Sequence, residues 1–235
     1  SSKLNVGTYS KVYYKKPVQF NVTDNSAAAI NNATITAYDA TEAVDNLGYT
    51  NSNGYLSMLL TEFYFSNGVQ YYVTQNHSIV GSKLDYMENT TALNLINATN
   101  IYLNITLLPL VFGANVSTDS TLGSNLTGNS SALVISTDDI TINGNGYSII
   151  GNGSGIGIDL SNRSGVSINN LSIINFTEGV RFSSSTDNTL TNVNINNVSL
   201  GINFTESQDN LIQDCNISQS TTDAVASSST YTNNT

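Results

Sequence analysis

The most constraining feature of the sequence is an ungapped repeat of 22 residues between positions 157 and 226. Its apolar positions coincide from repeat to repeat, which aligns Gly157–Leu160 with Gly179–Phe182, Gly201–Phe204 and Asp223–Ala226. A second aligned set in the same frame is Leu171–Ile173, Val193–Ile195 and Cys215–Ile217. Repetition at a short fixed period is typical of a solenoid, in which each unit packs against its neighbours.

The repeat unit is too short for a pair of helices and has no helical periodicity. It contains three short segments with inward apolar and outward polar residues, which predicts one three-stranded coil of a right-handed parallel β-helix. Coils of this kind stack about 4.8 Å apart. Side chains one repeat apart should therefore touch, and we expect Phe182 to stack on Phe204, with Leu160 and Ala226 at the two ends of the row.

One polar row accompanies the apolar rows. Asn170, Asn192 and Asp214 occupy the same register between the first two strands of successive coils. Asn and Asp tolerate the left-handed turn conformation, and their side chains can form hydrogen bonds from coil to coil. We expect a polar ladder at this corner, and its geometry predicts that Asn170 carries no glycan.

The predicted fold class is all-β, with two domains. Residues 1–110 contain short alternating strands separated by turn signals such as Asn53-Gly54, which predicts an immunoglobulin-like β-sandwich. Residues 111–125 are predicted to be a linker, and residues 126–235 the parallel β-helix, beginning with a looser coil. The last coil has no evident cap, so we expect either that the β-helix continues beyond the chain end or that it packs end-on against a neighbouring subunit.

Both regions resemble known families. NVTD at 21–24, NATITAYDA at 32–40 and TNSNGYLSMLL at 50–60 resemble prealbumin-like or carboxypeptidase-regulatory-like immunoglobulin modules, which implies a spacer or stabilising role. LVISTDDITINGNGYSIIGNGSGIGIDL at 133–160 resembles the opening of parallel β-helix repeat proteins of archaeal surfaces, of the S-layer and adhesin type. It also resembles β-helix proteins of the periplasmic nitrous-oxide-reductase maturation type.

The asparagine content has a pattern of its own. Asn followed two residues later by Ser or Thr is the acceptor sequence for N-glycosylation, and it occurs 17 times. Random placement of the Asn residues would give about 9 such sequences. Asn170 apart, the predicted acceptors are Asn21, Asn32, Asn76, Asn89, Asn97, Asn104, Asn115, Asn125, Asn129, Asn152, Asn162, Asn175, Asn197, Asn203, Asn216 and Asn233. The excess favours a heavily glycosylated extracellular protein.

Charge and composition exclude several function classes. There are 17 acidic and 7 basic residues and a net charge of −10, whereas nucleic-acid binding needs a basic surface. No apolar run approaches the roughly 18 residues of a membrane span. The single cysteine allows no internal disulfide. No signal peptide is visible at Ser1, which predicts a mature form or an excised fragment.

The solenoid half offers little chemistry. From Asp119 onward it has ten acids but only two basic residues, Arg163 and Arg181, and it contains no Lys or His. For Asp138 and Asp139 we therefore expect turn capping rather than catalysis, although parallel β-helices also host polysaccharide-cleaving enzymes.

Two further pairs of charged residues share a register. Asp187 and Asp209 should stack one coil apart, either as solvated turn residues or as weak candidate ligands for calcium. Asp159 and Arg181 predict an exposed ion pair.

The copper role that the maturation family implies needs soft or imidazole ligands. The chain offers His77, Cys215, Met58 and Met87. Cys215 falls on an inward position and His77 on a predicted surface strand or turn, so copper handling is not supported. Eleven of the 13 Tyr residues precede residue 110, which is compatible with a carbohydrate-binding aromatic platform but more typical of half-buried strands.

Together these observations predict an extracellular structural glycoprotein of the cell surface: a surface-layer, sheath, fibre or filament, or adhesin component without enzymatic activity. N-linked glycans are its only expected attached groups apart from possible calcium, and no other cofactor is predicted. Like subunits or other cell-envelope proteins are its expected partners. The alternative is a carbohydrate-binding or polysaccharide-cleaving β-helix protein.

Overall fold

The structure is a computed structural model, and it describes residues 11–66, 69–72, 76–96, 98 and 100–227. Every regular element in this part of the chain is a β-strand, which confirms the all-β prediction. The strands belong to two compact units. The first comprises Glu88–Leu108 and the described residues up to Lys83, and the second comprises Leu84–Met87 and the described residues from Pro109 onward. No helix long and apolar enough to cross a membrane occurs among the described residues.

The first unit consists of two four-stranded sheets. One has the order β9-β1-β4-β5, with β1 and β9 parallel and the other pairs antiparallel. The other is antiparallel, with the order β3-β2-β6-β8. The strands are β1 (Val12–Asp24), β2 (Thr34–Tyr38), β3 (Val44–Tyr49), β4 (Tyr55–Ser66), β5 (Val69–Tyr72), β6 (His77–Ser82), β8 (Asn89–Leu93) and β9 (Ile101–Pro109).

The two sheets pack face to face. Along β1, Val18, Phe20 and Val22 are buried and alternate with more accessible residues, as expected of a strand with one face on a core. Gly81 of β6 lies against β9, because a Cβ added there would come within 2.9 Å of Ile105 Cγ2. The predicted β-sandwich is therefore confirmed for this unit, and its assignment to a particular module family remains a prediction.

The second unit is a parallel β-solenoid of about five turns. Its strands form three faces, and each face continues from coil to coil through parallel pairing. The strands are β7 (Tyr86–Met87), β10 (Ala114–Val116), β11 (Ser120–Thr121), β12 (Leu126–Thr127), β13 (Leu133–Ile135), β14 (Thr141–Asn143), β15 (Ser148–Ile150), β16 (Ile156–Asp159), β17 (Ser167–Ile174), β18 (Glu178–Ser183), β19 (Thr189–Thr205), β20 (Leu211–Gln213) and β21 (Asn216–Ser227).

The register between coils follows the repeat. In the regular coils each residue pairs with the residue 22 positions later, as in Leu190 with Ile212 and Val180 with Ile202. Because parallel pairing places the two side chains on the same face, the apolar rows become continuous internal ladders. The rings of Phe182 and Phe204 stack with centroids 4.8 Å apart, which confirms the contact predicted for them.

The last coil departs from the predicted register by one residue. A bulge between Val198 and Leu200 shifts the pairing, so that Ser227 rather than Ala226 pairs with Phe204. The prediction of Ala226 at the end of the phenylalanine row was wrong. A β-bulge accommodates one extra residue on one strand, and a slip of one residue moves every following side chain to the opposite face.

The solenoid begins before residue 126. The segment 111–125, for which we predicted a linker, contains β10 and β11, which pair in parallel with β13 and β14 of the next coil. Met87 of β7 pairs with Ser120 and is buried in the core of the same unit. The short strands of this first coil carry too few residues to show the repeat, so the sequence pattern there is weak.

A glycine row explains why Gly recurs at one position of the repeat. Gly157, Gly179 and Gly201 lie in successive coils, each packed against the backbone of the next. A Cβ at Gly179 would come within 2.5 Å of the Gly201 carbonyl oxygen and 2.6 Å of Ile195 Cγ2. Any larger side chain would therefore push two coils apart, which makes these glycines necessary for close stacking rather than for an unusual φ angle.

Candidate functional site

The outward corners of the solenoid are its most regular polar feature. The three regular coils turn through residues in the left-handed conformation, and these residues form four rows with a spacing of 22. The rows are Asn162, Ser184 and Glu206; Gly165, Asp187 and Asp209; Asn170, Asn192 and Asp214; and Asn175, Asn197 and Gln219. Asn, Asp and Gly adopt this conformation most readily, so the corners account for much of the asparagine content of the repeat.

The polar row predicted at one corner is present, and its hydrogen bond between coils joins Asn170 and Asn192. Asn170, Asn192 and Asp214 each have a φ of 53°, and Asn192 Nδ2 donates a hydrogen bond of 2.8 Å to Asn170 Oδ1 in the preceding coil. These side chains are exposed. The absence of a glycan on Asn170 remains a prediction.

A second amide ladder, inside the solenoid, escaped the sequence analysis. Asn188 and Asn210 are each only 1% exposed, and Asn188 Nδ2 donates to Asn210 Oδ1 over 2.9 Å. Asn188 also accepts a hydrogen bond from the backbone N–H of Val166 and donates to the carbonyl oxygen of Arg163. Beside it, the hydroxyls of Ser185 and Ser207 lie 3.1 Å apart and are buried. Because buried polar groups are costly unless they are paired, this ladder fixes the register of the coils.

The predicted glycosylation sites lie mostly on the outside. Ten are exposed: Asn32, Asn76, Asn104, Asn115, Asn125, Asn129, Asn152, Asn162, Asn197 and Asn216. Four are half-buried: Asn21, Asn89, Asn175 and Asn203. Asn97 and Asn233 lie outside the described residues. Exposure makes modification sterically feasible at the first set, and occupancy at all sixteen remains a prediction.

The half-buried acceptors use their amides for internal hydrogen bonds. Asn203 Nδ2 donates to Glu178 Oε2 over 3.2 Å, and Asn89 Nδ2 donates to the carbonyl oxygen of Thr106. Asn175 Nδ2 donates to the Gly151 carbonyl, while Asn175 Oδ1 accepts from Asn197 Nδ2 at 3.3 Å. The last contact places Asn175 and Asn197 in the same register of neighbouring coils. The amide nitrogen is the atom that would carry the sugar, so these sites are sterically less favourable than the exposed ones.

Asp138 and Asp139 lie in a turn, as expected. Asp138 Oδ1 accepts hydrogen bonds from Arg163 Nη1 at 3.2 Å and from the backbone N–H of Ser164 at 3.1 Å. Asp139 has a φ of 58° and lies against Gly165. The Asp138 carboxylate thus joins two consecutive coils.

Asp187 and Asp209 occupy the same outward corner of neighbouring coils, with φ values of 56° and 55°. Their neighbours Thr186 and Gln208 form a parallel bridge, which confirms the shared register. Among the described residues, no cluster of three or more His, Cys, Asp and Glu side chains is arranged to hold a metal ion. A calcium role for this pair remains a prediction.

Arg181 has a closer partner than the predicted one. Its guanidinium binds Glu178 through two hydrogen bonds of 2.7 and 2.9 Å, whereas its nearest approach to Asp159 is 4.0 Å. The Arg181 hydrogen bonds hold the pKa of Glu178 below its usual value, and Glu178 in turn raises the pKa of Arg181. The predicted pair therefore exists only as the weaker part of a three-residue group.

His77 is buried, contrary to the surface position predicted for it. Its ring has no exposed surface, and Nε2 lies 3.1 Å from Asp45 Oδ2. Asp45 also accepts hydrogen bonds from the backbone N–H and the hydroxyl of Thr61. Burial would raise the pKa of Asp45, but the hydrogen bonds from His77 and Thr61 outweigh burial and hold that pKa well below its usual value. The prediction failed because these partners are far apart in sequence.

Cys215 contacts the solenoid core and is only partly buried, because it lies in the last coil. Its Sγ lies 3.2 Å from the Gln213 carbonyl oxygen, and burial raises the pKa of the thiol. A raised pKa lowers the thiolate fraction, and the thiolate is the reactive form of a cysteine.

No protein-family model matches the sequence, and no curated protein matches it. Among solved structures, the chain is similar to a mutant of the shaft pilin spaA from Lactobacillus rhamnosus GG, with 14% sequence identity and a TM-score of 0.34. The similarity covers 45% of this chain and 52% of the pilin chain, so it spans about half the length of that protein.

Proposed function

We propose that this protein is an extracellular structural glycoprotein that acts as a rigid, glycan-shielded scaffold in a surface layer, sheath, fibre or adhesin. The observation that carries the proposal is the division of asparagine between two roles. Asn188 and Asn210 fasten the coils internally, while exposed acceptor sequences lie on the outside of both units.

The proposed mechanism is mechanical and steric. Each coil adds about 4.8 Å along the stack and is bound to the next by parallel backbone hydrogen bonds on three faces. The stacked pair Phe182 and Phe204 and the buried amide ladder oppose slippage between coils. Glycans on the exposed asparagines would shield this surface from proteases, and like subunits or other envelope proteins would be its partners.

The arrangement of the acids supports a non-enzymatic role. Asp138 accepts hydrogen bonds from Arg163 and Ser164, and Glu178 is engaged by Arg181 and Asn203. Asp159 accepts from the backbone and hydroxyl of Ser161. Acids committed to turns and ion pairs in this way are poorly placed to donate a proton to a substrate.

The intact mass of the protein isolated from its native source tests the proposal. We expect chemical deglycosylation to lower the measured mass of the native protein substantially, and we expect the protein to self-assemble or to associate with envelope material. A mass that chemical deglycosylation leaves unchanged would refute the glycoprotein part. Turnover of an acidic polysaccharide that is lost in Asp138→Asn or Asp187→Asn would instead support the enzymatic alternative.

A further inference from the structure

The outer face of one sheet in the first unit contains a shallow groove. The groove encloses about 380 Å³ and runs across β4, β1 and β9. Its side chains come from two adjacent rows of the sheet. Tyr55, Asn21 and Asn104 are register partners in one row, and Gln19 pairs with Tyr102 in the next.

The two tyrosines flank the groove, and each is more than half exposed. Tyr55 is 55% exposed and Tyr102 is 68% exposed. Within the described part of the chain, neither ring stacks on another aromatic ring, in contrast to Tyr14, which stacks on Phe63. Two large rings left open on one face of a sheet therefore form a platform rather than part of a core.

Amide groups lie between the two rings. Asn21 Nδ2 donates to Asn104 Oδ1 over 3.3 Å, which leaves Asn21 Oδ1 as an acceptor and Asn104 Nδ2 as a donor. Gln19 adds a third amide in the neighbouring row. The residues that line the groove are all uncharged, so the groove favours a neutral ligand with both donors and acceptors.

The spacing of the rings sets the ligand size. Tyr55 and Tyr102 are separated by two strand spacings and two residues, a diagonal of about 12 Å between backbone positions. Saccharides match this arrangement, because the C–H face of a pyranose ring packs on an aromatic ring while its hydroxyls pair with amides.

We propose that this groove binds a neutral saccharide of one or two pyranose rings. Asn21 and Asn104 are themselves glycosylation sequences, so the saccharide has two possible sources: a glycan attached to this chain or one from outside. The groove is formed by protein atoms alone, and the proposal does not depend on the scaffold function.

The test uses the chain produced in a host that adds no N-glycans. Glucose, mannose, galactose, N-acetylglucosamine and N,N′-diacetylchitobiose are titrated separately while backbone and side-chain amide NMR signals are followed. We expect at least one sugar to shift the signals of Gln19, Asn21 and Asn104, with a Kd on the order of 1 mM. Shifts confined to residues elsewhere, or none with any sugar at about 50 mM, would overturn the proposal.

Matched variants distinguish the platform from a general effect of tyrosine loss. Tyr102→Ala should weaken binding about tenfold, whereas Tyr102→Phe, which keeps the ring, should stay within about twofold of the wild type. Tyr49→Ala serves as the control, because Tyr49 is 58% exposed on the other sheet. Unchanged affinity in both Tyr55→Ala and Tyr102→Ala would refute the site.

Glycopeptide mapping of the native protein assigns the source. A glycan on Asn21 or Asn104, together with loss of binding to added sugar, identifies the occupant as the chain's own. Bare asparagines with retained binding identify an external saccharide. The two proposals fail separately. Because the titration uses the unglycosylated chain, an absence of sugar binding would overturn the saccharide groove but not the scaffold proposal. A native protein without glycans would overturn the glycoprotein proposal but not the saccharide groove.

Discussion

Replacement of Asn188 by Ala tests the internal amide ladder. The change removes hydrogen bonds to three groups: the Val166 N–H at 2.9 Å, the Arg163 carbonyl oxygen at 3.0 Å and Asn210 Oδ1 at 2.9 Å. The Arg163 carbonyl retains a hydrogen bond from Thr186, and Asn210 Oδ1 retains one from the Asn188 backbone, so the loss at each is about 1 kcal/mol.

The Val166 N–H is affected more severely. It points into the solenoid, where Asn188 is 1% exposed, and loses the partner that the structure gives it. A buried donor left without a partner costs about 2 kcal/mol, which brings the total to about 4 kcal/mol. Asn194→Ala is the control, since Asn194 is exposed and its loss should stay within about 0.5 kcal/mol.

Two measurements check this expectation. Urea unfolding gives the free energy of unfolding, and amide hydrogen exchange reports the protection of the Val166 N–H directly. We expect the Asn188→Ala chain to be strongly destabilised and its Val166 amide to exchange rapidly. A free energy of unfolding within about 1 kcal/mol of the wild type, with Val166 still protected, would refute the claim that this ladder fastens the coils.

Three further predictions concern the glycine row, acid stability and glycan occupancy. Gly179→Ala should destabilise the solenoid by about 2 kcal/mol, because its Cβ would meet the carbonyl of Gly201 at 2.5 Å, and an unchanged urea midpoint would contradict this. The depressed pKa of Asp45 contributes stability that is present above its ordinary pKa of 3.8 and is lost as pH falls towards the folded-state value. Unfolding measured below pH 3.8 should therefore show a steep loss of stability that Asp45→Asn flattens, and equal slopes in the two proteins would argue against it. In glycopeptide maps of the native protein, exposed Asn129 should be more fully occupied than half-buried Asn203, and the reverse order would exclude burial as the controlling factor.

The repeat made most of the solenoid predictable. A period of 22 residues determines which side chains touch, so the Phe182 and Phe204 stack, the corner row of Asn170 and Asn192, and the shared register of Asp187 and Asp209 followed from counting positions. Parallel in-register pairing is what makes such counting reliable, because every residue meets its equivalent in the next coil.

The features that escaped prediction depend on three-dimensional burial or on contacts distant in sequence. Asn188 and Asn210 repeat with the same period, but a repeated polar residue gives no sign of burial in the sequence. In the structure their amides satisfy buried backbone groups. In the last coil Ser227, and not Ala226, pairs with Phe204, because a bulge shifts the register. The bulge lies in a stretch of Ser and Thr, which has no apolar pattern from which the register could be predicted. The burial of His77 depends on Asp45, 32 residues away, which no local pattern identifies.

The contact between residues one repeat apart is the claim on which the whole account depends, and ring-to-ring nuclear Overhauser effects measure it directly. The chain has only 7 Phe residues, so selective labelling gives a spectrum that can be assigned. The account predicts a strong cross-peak between Phe182 and Phe204, whose centroids lie 4.8 Å apart, and a weaker one between Phe112 and Phe176, at 6.2 Å. A well-resolved spectrum of the folded protein without the Phe182–Phe204 cross-peak would contradict the stacked-coil architecture.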